Sequence, residues 1–143
     1  MRKIVLAALA LTFLLGIHAC SKNSGTSSAK TMQNLSGSYG LTALKASFLG
    51  TSINLYDSLP PCERDNVIQL ISTGVVKFID AGIVCVPPSD SSGTWSLSSN
   101  ADTMYIAGNA SFIKSWDGKT LVLTNAQVVS GFPVTATTTL VKK

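Results

Sequence analysis

Histidine, cysteine and clustered carboxylates are the side chains from which most chemical sites are built, and this 143-residue chain uses them sparingly. Its single histidine, His18, stands near the N-terminus in an apolar stretch. The closest approach to an acid–base cluster is Glu63-Arg64-Asp65, three charges in a row beside Cys62. Paired carboxylates can move protons, but this trio reads as a solvated loop end with a local ion pair. Asp57, Asp80, Asp90, Asp102 and Asp117 each stand beside Gly, Ser, Thr or Ala, where a short acceptor bonds its own backbone and makes a turn. No stretch offers the alternating oxygen donors and closing Glu of a calcium loop. With no nucleophile, base and orienting group to assemble, the expectation is a protein that is not an enzyme and needs no metal or cofactor.

Three cysteines remain, and their roles depend on the N-terminus. Arg2 and Lys3 precede a run of apolar or small residues from Ile4 to Ile17 that stops at Ala19-Cys20. That run is short of the roughly twenty residues a membrane-spanning helix needs, so residues 1–19 are expected to be a signal peptide. Ile17-His18-Ala19-Cys20 resembles a bacterial lipobox, which implies cleavage before Cys20 and acylation of its thiol. The implied partner is a membrane, reached through the lipid anchor. Ser21, rather than Asp, after Cys20 points to the outer membrane. The lack of acidic residues in 21–24 favours its periplasmic face over the cell surface.

His18 leaves with the signal, and the mature chain then has no imidazole for Ser-His-Asp or Cys-His activation or for ordinary zinc sites. With Cys20 assigned to lipid, Cys62 and Cys85 form an even pair in an exported chain, where disulfides persist. A disulfide between them is expected; a reactive dithiol is disfavoured because no C-x-x-C spacing lowers a thiol pKa. Closing a loop of that length is worth roughly 3 to 3.5 kcal/mol in the chain-entropy account.

Loss of Arg2 and Lys3 leaves 9 basic against 7 acidic residues, lowering the formal charge from +4 to +2. The basic residues are scattered singly and do not alternate with aromatics, so no nucleic-acid partner is expected. Residues 20–34 are rich in Ser, Lys, Asn, Gly and Thr and read as a flexible tether. The domain is expected at 35–143.

The elements that must position any site are strands. Short runs rich in Val, Ile, Thr and aromatics, separated by Gly, Asn, Asp and Ser clusters, give eight of them: 37–48, 67–71, 75–79, 93–97, 103–107, 111–116, 119–124 and 133–141. The first slips phase near Leu44, which suggests a bulge. The third has a possible continuation to Cys85. Residues 51–56 read either as a ninth short strand or as a lid. Asp117-Gly118 is the strongest hairpin signal. Hairpin-length connections make the sheet antiparallel, and the fold class is all-β: an eight-stranded antiparallel up-and-down barrel or half-barrel.

Leu35-Ser36-Gly37-Ser38-Tyr39, Cys62-Glu63-Arg64-Asp65 and Gly93-Thr94-Trp95-Ser96-Leu97 occur in the order found in the small bacterial lipocalin-like lipoproteins. Thr120-Leu121-Val122-Leu123-Thr124 and a Thr-rich last strand follow them, and the chain resembles that family over the whole mature domain. The resemblance implies an eight-stranded calyx or half-closed barrel without implying an activity. Where lipocalins pair a Trp on the first strand with an Arg on the last, this chain has Tyr39 and Lys142 or Lys143.

An eight-stranded barrel is just wide enough to fill with side chains or to hold one small ligand. The residues expected to face inward, and to line any pocket for a small hydrophobic ligand, are Tyr39, Leu41, Val76, Phe78, Trp95, Leu97, Tyr105, Phe112 and Leu121. Two functions are compatible with them. One is a lipid-anchored binding module; the other is a structural or protein-interaction module with a packed, ligand-free barrel.

Overall fold

A computed structural model describes residues 28–143; residues 1–19 and Cys20 lie outside the described residues. The first described element is one helical turn, α1 (Met32–Leu35), capped by the Thr31 hydroxyl, which accepts from the Asn34 amide. Nine strands follow: β1 (Gly37–Phe48), β2 (Thr51–Asn54), β3 (Val67–Ile71), β4 (Val75–Ile79), β5 (Ser91–Leu97), β6 (Thr103–Ile106), β7 (Asn109–Trp116), β8 (Thr120–Val129) and β9 (Phe132–Lys142). Between β2 and β3 run a 3-10 turn at Tyr56–Ser58 and a second helical turn, α2 (Pro61–Arg64).

Eight strands close an antiparallel barrel: β1, then β3 through β9 in chain order, with β9 pairing back onto β1. The closure removes the half-barrel alternative. β2 is the additional strand. It pairs with residues 45–48 of β1, whereas β3 pairs with residues 37–40. The open reading of 51–56 therefore resolves as a strand to Asn54 and a turn from Tyr56.

Directly opposed residues in an antiparallel ladder share a face, so the register identifies the interior. Tyr39, Ile68, Phe78 and Ser91 form one inward row across β1, β3, β4 and β5. A register shift between Leu41 and Ala43 lets Leu41 oppose Leu140 and Leu44 oppose Thr138, so both leucines face inward. That is the phase slip expected in the first strand, and it is a β-bulge. A second shift between Ile113 and Ser115 turns both Ile113 and Trp116 inward.

One end of the barrel is packed. Leu35, Tyr39, Trp95, Met104, Trp116 and Leu121 are buried there, with Met32 of α1 against them. The Tyr39 hydroxyl donates to the Leu35 carbonyl at 2.6 Å, and Lys142 Nζ donates to the Asn34 carbonyl at 2.8 Å. Lys30 pairs with Asp102 at 3.3 Å. The segment expected to be flexible up to Asn34 thus contributes α1 to the barrel end, because Met32 and Leu35 have an apolar cluster to cover. At the same end Asp117 makes the tight turn into β8. The amides of Thr120 and then Lys119 donate to its carboxylate and hold it below the ordinary carboxyl range.

Two strand ends depart from expectation. β4 stops at Ile79 and does not run on to Cys85, because the Asp80 carboxylate accepts the amides of Cys85 and Ser89 and curls the chain into a loop. β8 runs to Val129 and not only to Thr124. Asn125 and Gln127 carry little strand signal of their own, but the ladder with β9 continues unbroken to Val129 opposite Phe132.

Candidate functional site

The strands of the barrel wall differ in length, and the site follows from that difference. β3 and β4 are five residues each, whereas β8, β9 and β1 run to ten, eleven and twelve. The long strands and β2 therefore project past the short ones as a four-stranded overhang. Its inner face continues the interior in rows: Leu123, Thr138 and Leu44, then Asn125, Ala136, Ala46 and Ile53. Phe48 and Phe132 lie further out, ring centroids 5.4 Å apart and edge to face.

Under the overhang, at the end opposite α1, lies a pocket of about 500 Å³. Leu41, Leu44, Leu59, Val67, Ile68 and Phe78 supply its apolar wall. The volume falls in the usual range for small-molecule sites, roughly 300 to 1,000 Å³. The β1 bulge is what brings Leu44 to this wall together with Leu41; in unbroken alternation Leu44 would point outward.

The rim is polar and braced. Glu63, Asn66, Ser89 and Ser91 border the pocket. Cys62 of α2 is bonded to Cys85 of the 80–90 loop, with sulfurs 2.03 Å apart, so the expected disulfide ties the two rim segments together. Short acceptors finish the brace. Asp65 accepts the Ile83 amide at 2.8 Å, Asn66 accepts the Ala81 amide at 3.2 Å, and the Asn66 side-chain amide donates to Ser89 at 3.3 Å. Asp90 accepts the Asp80 amide at 2.9 Å. Of the aspartates expected to make turns, Asp117 does so by accepting the amides of Lys119 and Thr120, whereas Asp80 and Asp90 accept amides more distant in the chain and brace the rim loop instead. The local ion pair expected within Glu63-Arg64-Asp65 does not form; Lys30 with Asp102 is the ion pair found among the described residues. Among those residues no three His, Cys, Asp or Glu gather in metal-binding geometry.

Of the nine residues expected to face inward, Leu41 and Phe78 line the pocket. Tyr39, Val76, Trp95 and Leu121 are buried in the packed end, with Leu97 against them. Trp95 is 2% exposed and its indole N–H donates to the Ile71 carbonyl at 2.8 Å, so it is a core residue and not a pocket wall.

Tyr105 and Phe112 correct the expectation: both point outward, 41% and 52% exposed. In the four-residue β6 the alternation is too short to fix the phase, and the pairing of Leu97 with Met104 turns Met104 inward instead. In β7 the bulge at Lys114 selects Ile113 and Trp116, leaving Phe112 on the outer face opposite Thr124. Leu44, Leu59 and Ile68 were missed as pocket residues. For Leu44 the signal was present in the phase slip. Leu59 lies outside the strands, and nothing local announces its approach to the barrel.

Comparison of the chain with protein-family models, with curated proteins and with solved structures finds no match.

Proposed function

We propose that this chain is a lipid-anchored, lipocalin-like protein of the bacterial envelope that holds a small apolar or amphipathic molecule in the open end of its barrel. The observation that carries the reading is the contrast between the two ends. One is filled by Tyr39, Trp116 and α1, while the other keeps a pocket of about 500 Å³ with an apolar wall and a braced polar rim. The β1 bulge adds Leu44 to that wall beside Leu41, and the Cys62–Cys85 disulfide ties the two segments of the rim.

The anchor belongs to the same reading. Acylated Cys20, beside the outer membrane and facing the periplasm, sets the barrel within reach of lipid-derived and other sparingly soluble molecules. Two or more acyl chains hold a protein stably to a bilayer. The motif order from Leu35 to Leu97 supports kinship with the small lipocalin-like lipoproteins.

A second reading draws on the overhang. Leu49 and Val128, at its two hairpin tips, are 78% and 75% exposed. An envelope protein partner covering these tips would make the chain an interaction module. Native mass spectrometry of protein purified from its own cells separates the readings. A mass increment of a few hundred daltons, removed by organic extraction, supports the carrier. A protein-sized increment without one supports the interaction module.

A further inference from the structure

The pocket wall carries information about the polar end of its ligand. Carriers of anionic amphiphiles must neutralise a carboxylate or phosphate, and Arg or Lys side chains do so through charge-assisted hydrogen bonds. Among the described residues no lysine or arginine lines the pocket, and the charged side chain that does is Glu63, a carboxylate with no ion-pair partner among them. The lysines of the nearby strands are turned away. Lys45 lies between Leu44 and Ala46, and Lys77 between Val76 and Phe78, each on the outer face by alternation. Lys142 faces inward but at the packed end, donating to the Asn34 carbonyl.

Building on the carrier reading above, we infer that the pocket takes an amphiphile whose head is a hydrogen-bond donor, either neutral or cationic, such as a long-chain alcohol or amine, and that it discriminates against anionic amphiphiles through Glu63. The apolar tail lies along Leu41, Leu44, Ile68 and Phe78 and leaves toward the overhang. The head stays at the rim, where Glu63 and Ser91 meet it.

The test is a displacement titration with the purified protein, using a neutral polarity-sensitive dye as the reporter. The competitors are an alcohol, an amine and a carboxylic acid of one chain length. The expected result is that alcohol and amine displace the dye at concentrations about tenfold or more below the acid, the ratio that one like-charge contact at a partly wet rim produces. Glu63→Gln is expected to strengthen the acid and weaken the amine, removing most of the difference between the two. If the dye binds but the acid displaces it as well as the alcohol, or Glu63→Gln shifts none of the three, the head-group inference is wrong and the carrier reading stands. If the dye does not bind at all, both are wrong.

Discussion

Lys142 holds its ammonium 5.0 Å from the centre of the Trp116 ring, and 5.8 Å from that of Tyr39, while donating to the Asn34 carbonyl. One side chain from the last strand thereby joins the first strand, the seventh and the segment that plugs the barrel. Cation–π attraction contributes about 0.5 to 2 kcal/mol, depending on desolvation, and a hydrogen bond about 1 kcal/mol. Lys142→Met, which keeps most of the apolar stem, should therefore cost about 1 to 3 kcal/mol in urea unfolding. A midpoint equal to wild type would show that the contact is incidental.

Tyr39 gives this end of the barrel a pH dependence. Burial pushes its phenol well above the ordinary value, so the folded state favours the protonated form. A raised pKa contributes stability that is fully present below the unfolded phenol's value of about 10 and is lost as pH rises beyond it. Stability should hold at neutral pH and decline above about pH 10. Tyr39→Phe should cost about 1 kcal/mol at neutral pH, through the lost hydrogen bond to Leu35, and should flatten the alkaline decline. Parallel alkaline curves for the two proteins would remove Tyr39 as the cause.

Trp95 tests the division between packed and open ends. Lying in the filled core, Trp95→Ala should cost roughly 3 to 5 kcal/mol by leaving a void. A small loss would mean that the void is already there and that the pocket extends further down than the structure has it.

Much of the fold was legible because hairpins leave local marks. Asp117-Gly118, Ser130-Gly131 and the Ser72-Thr73-Gly74 turn delimit strands whose alternation then follows from the pleat. Gly74 also shows a constraint beyond its turn. It has φ of +90°, and a Cβ there would meet the Trp95 carbonyl oxygen at 3.3 Å. What was not legible is which face of a short strand turns inward. Tyr105 and Phe112 are as large and apolar as the residues that do, and only long-range register, with the Lys114 bulge, assigns them to the outside. The pocket was half legible for a related reason. Leu41 and Phe78 sit on strands, but Leu59 and Glu63 reach the mouth through a connection positioned by the disulfide and by Asp65 and Asn66, contacts no local pattern announces.

The Cys62–Cys85 bond closes a sequence separation of 23 residues. Its removal by Cys62→Ser with Cys85→Ser should lower stability by about 3 kcal/mol in the chain-entropy account. Because it braces the rim rather than the core, the variant should keep the far-ultraviolet dichroism of the barrel while losing dye affinity. Unchanged affinity would mean that the rim is held by Asp65, Asn66 and Asp80 alone.

Acylation at Cys20 is checked by fractionation. Cys20→Ser should move the protein from the membrane pellet to the soluble fraction. Retention in the pellet would contradict the lipid anchor without bearing on the pocket.

The central claim, that the open end of the barrel is a ligand site, is tested most directly by comparing wild type with Leu44→Trp in a titration with the neutral polarity-sensitive dye. Leu44 faces the cavity from the bulge in β1, so the larger ring occupies pocket volume while the packed end is left as it is. The account predicts saturable binding of one dye per wild-type chain, with a rise in melting temperature from ligand linkage. It predicts little or no binding to a Leu44→Trp protein that still unfolds cooperatively. Binding that is absent from wild type, or undiminished in the cooperatively folded variant, would contradict it.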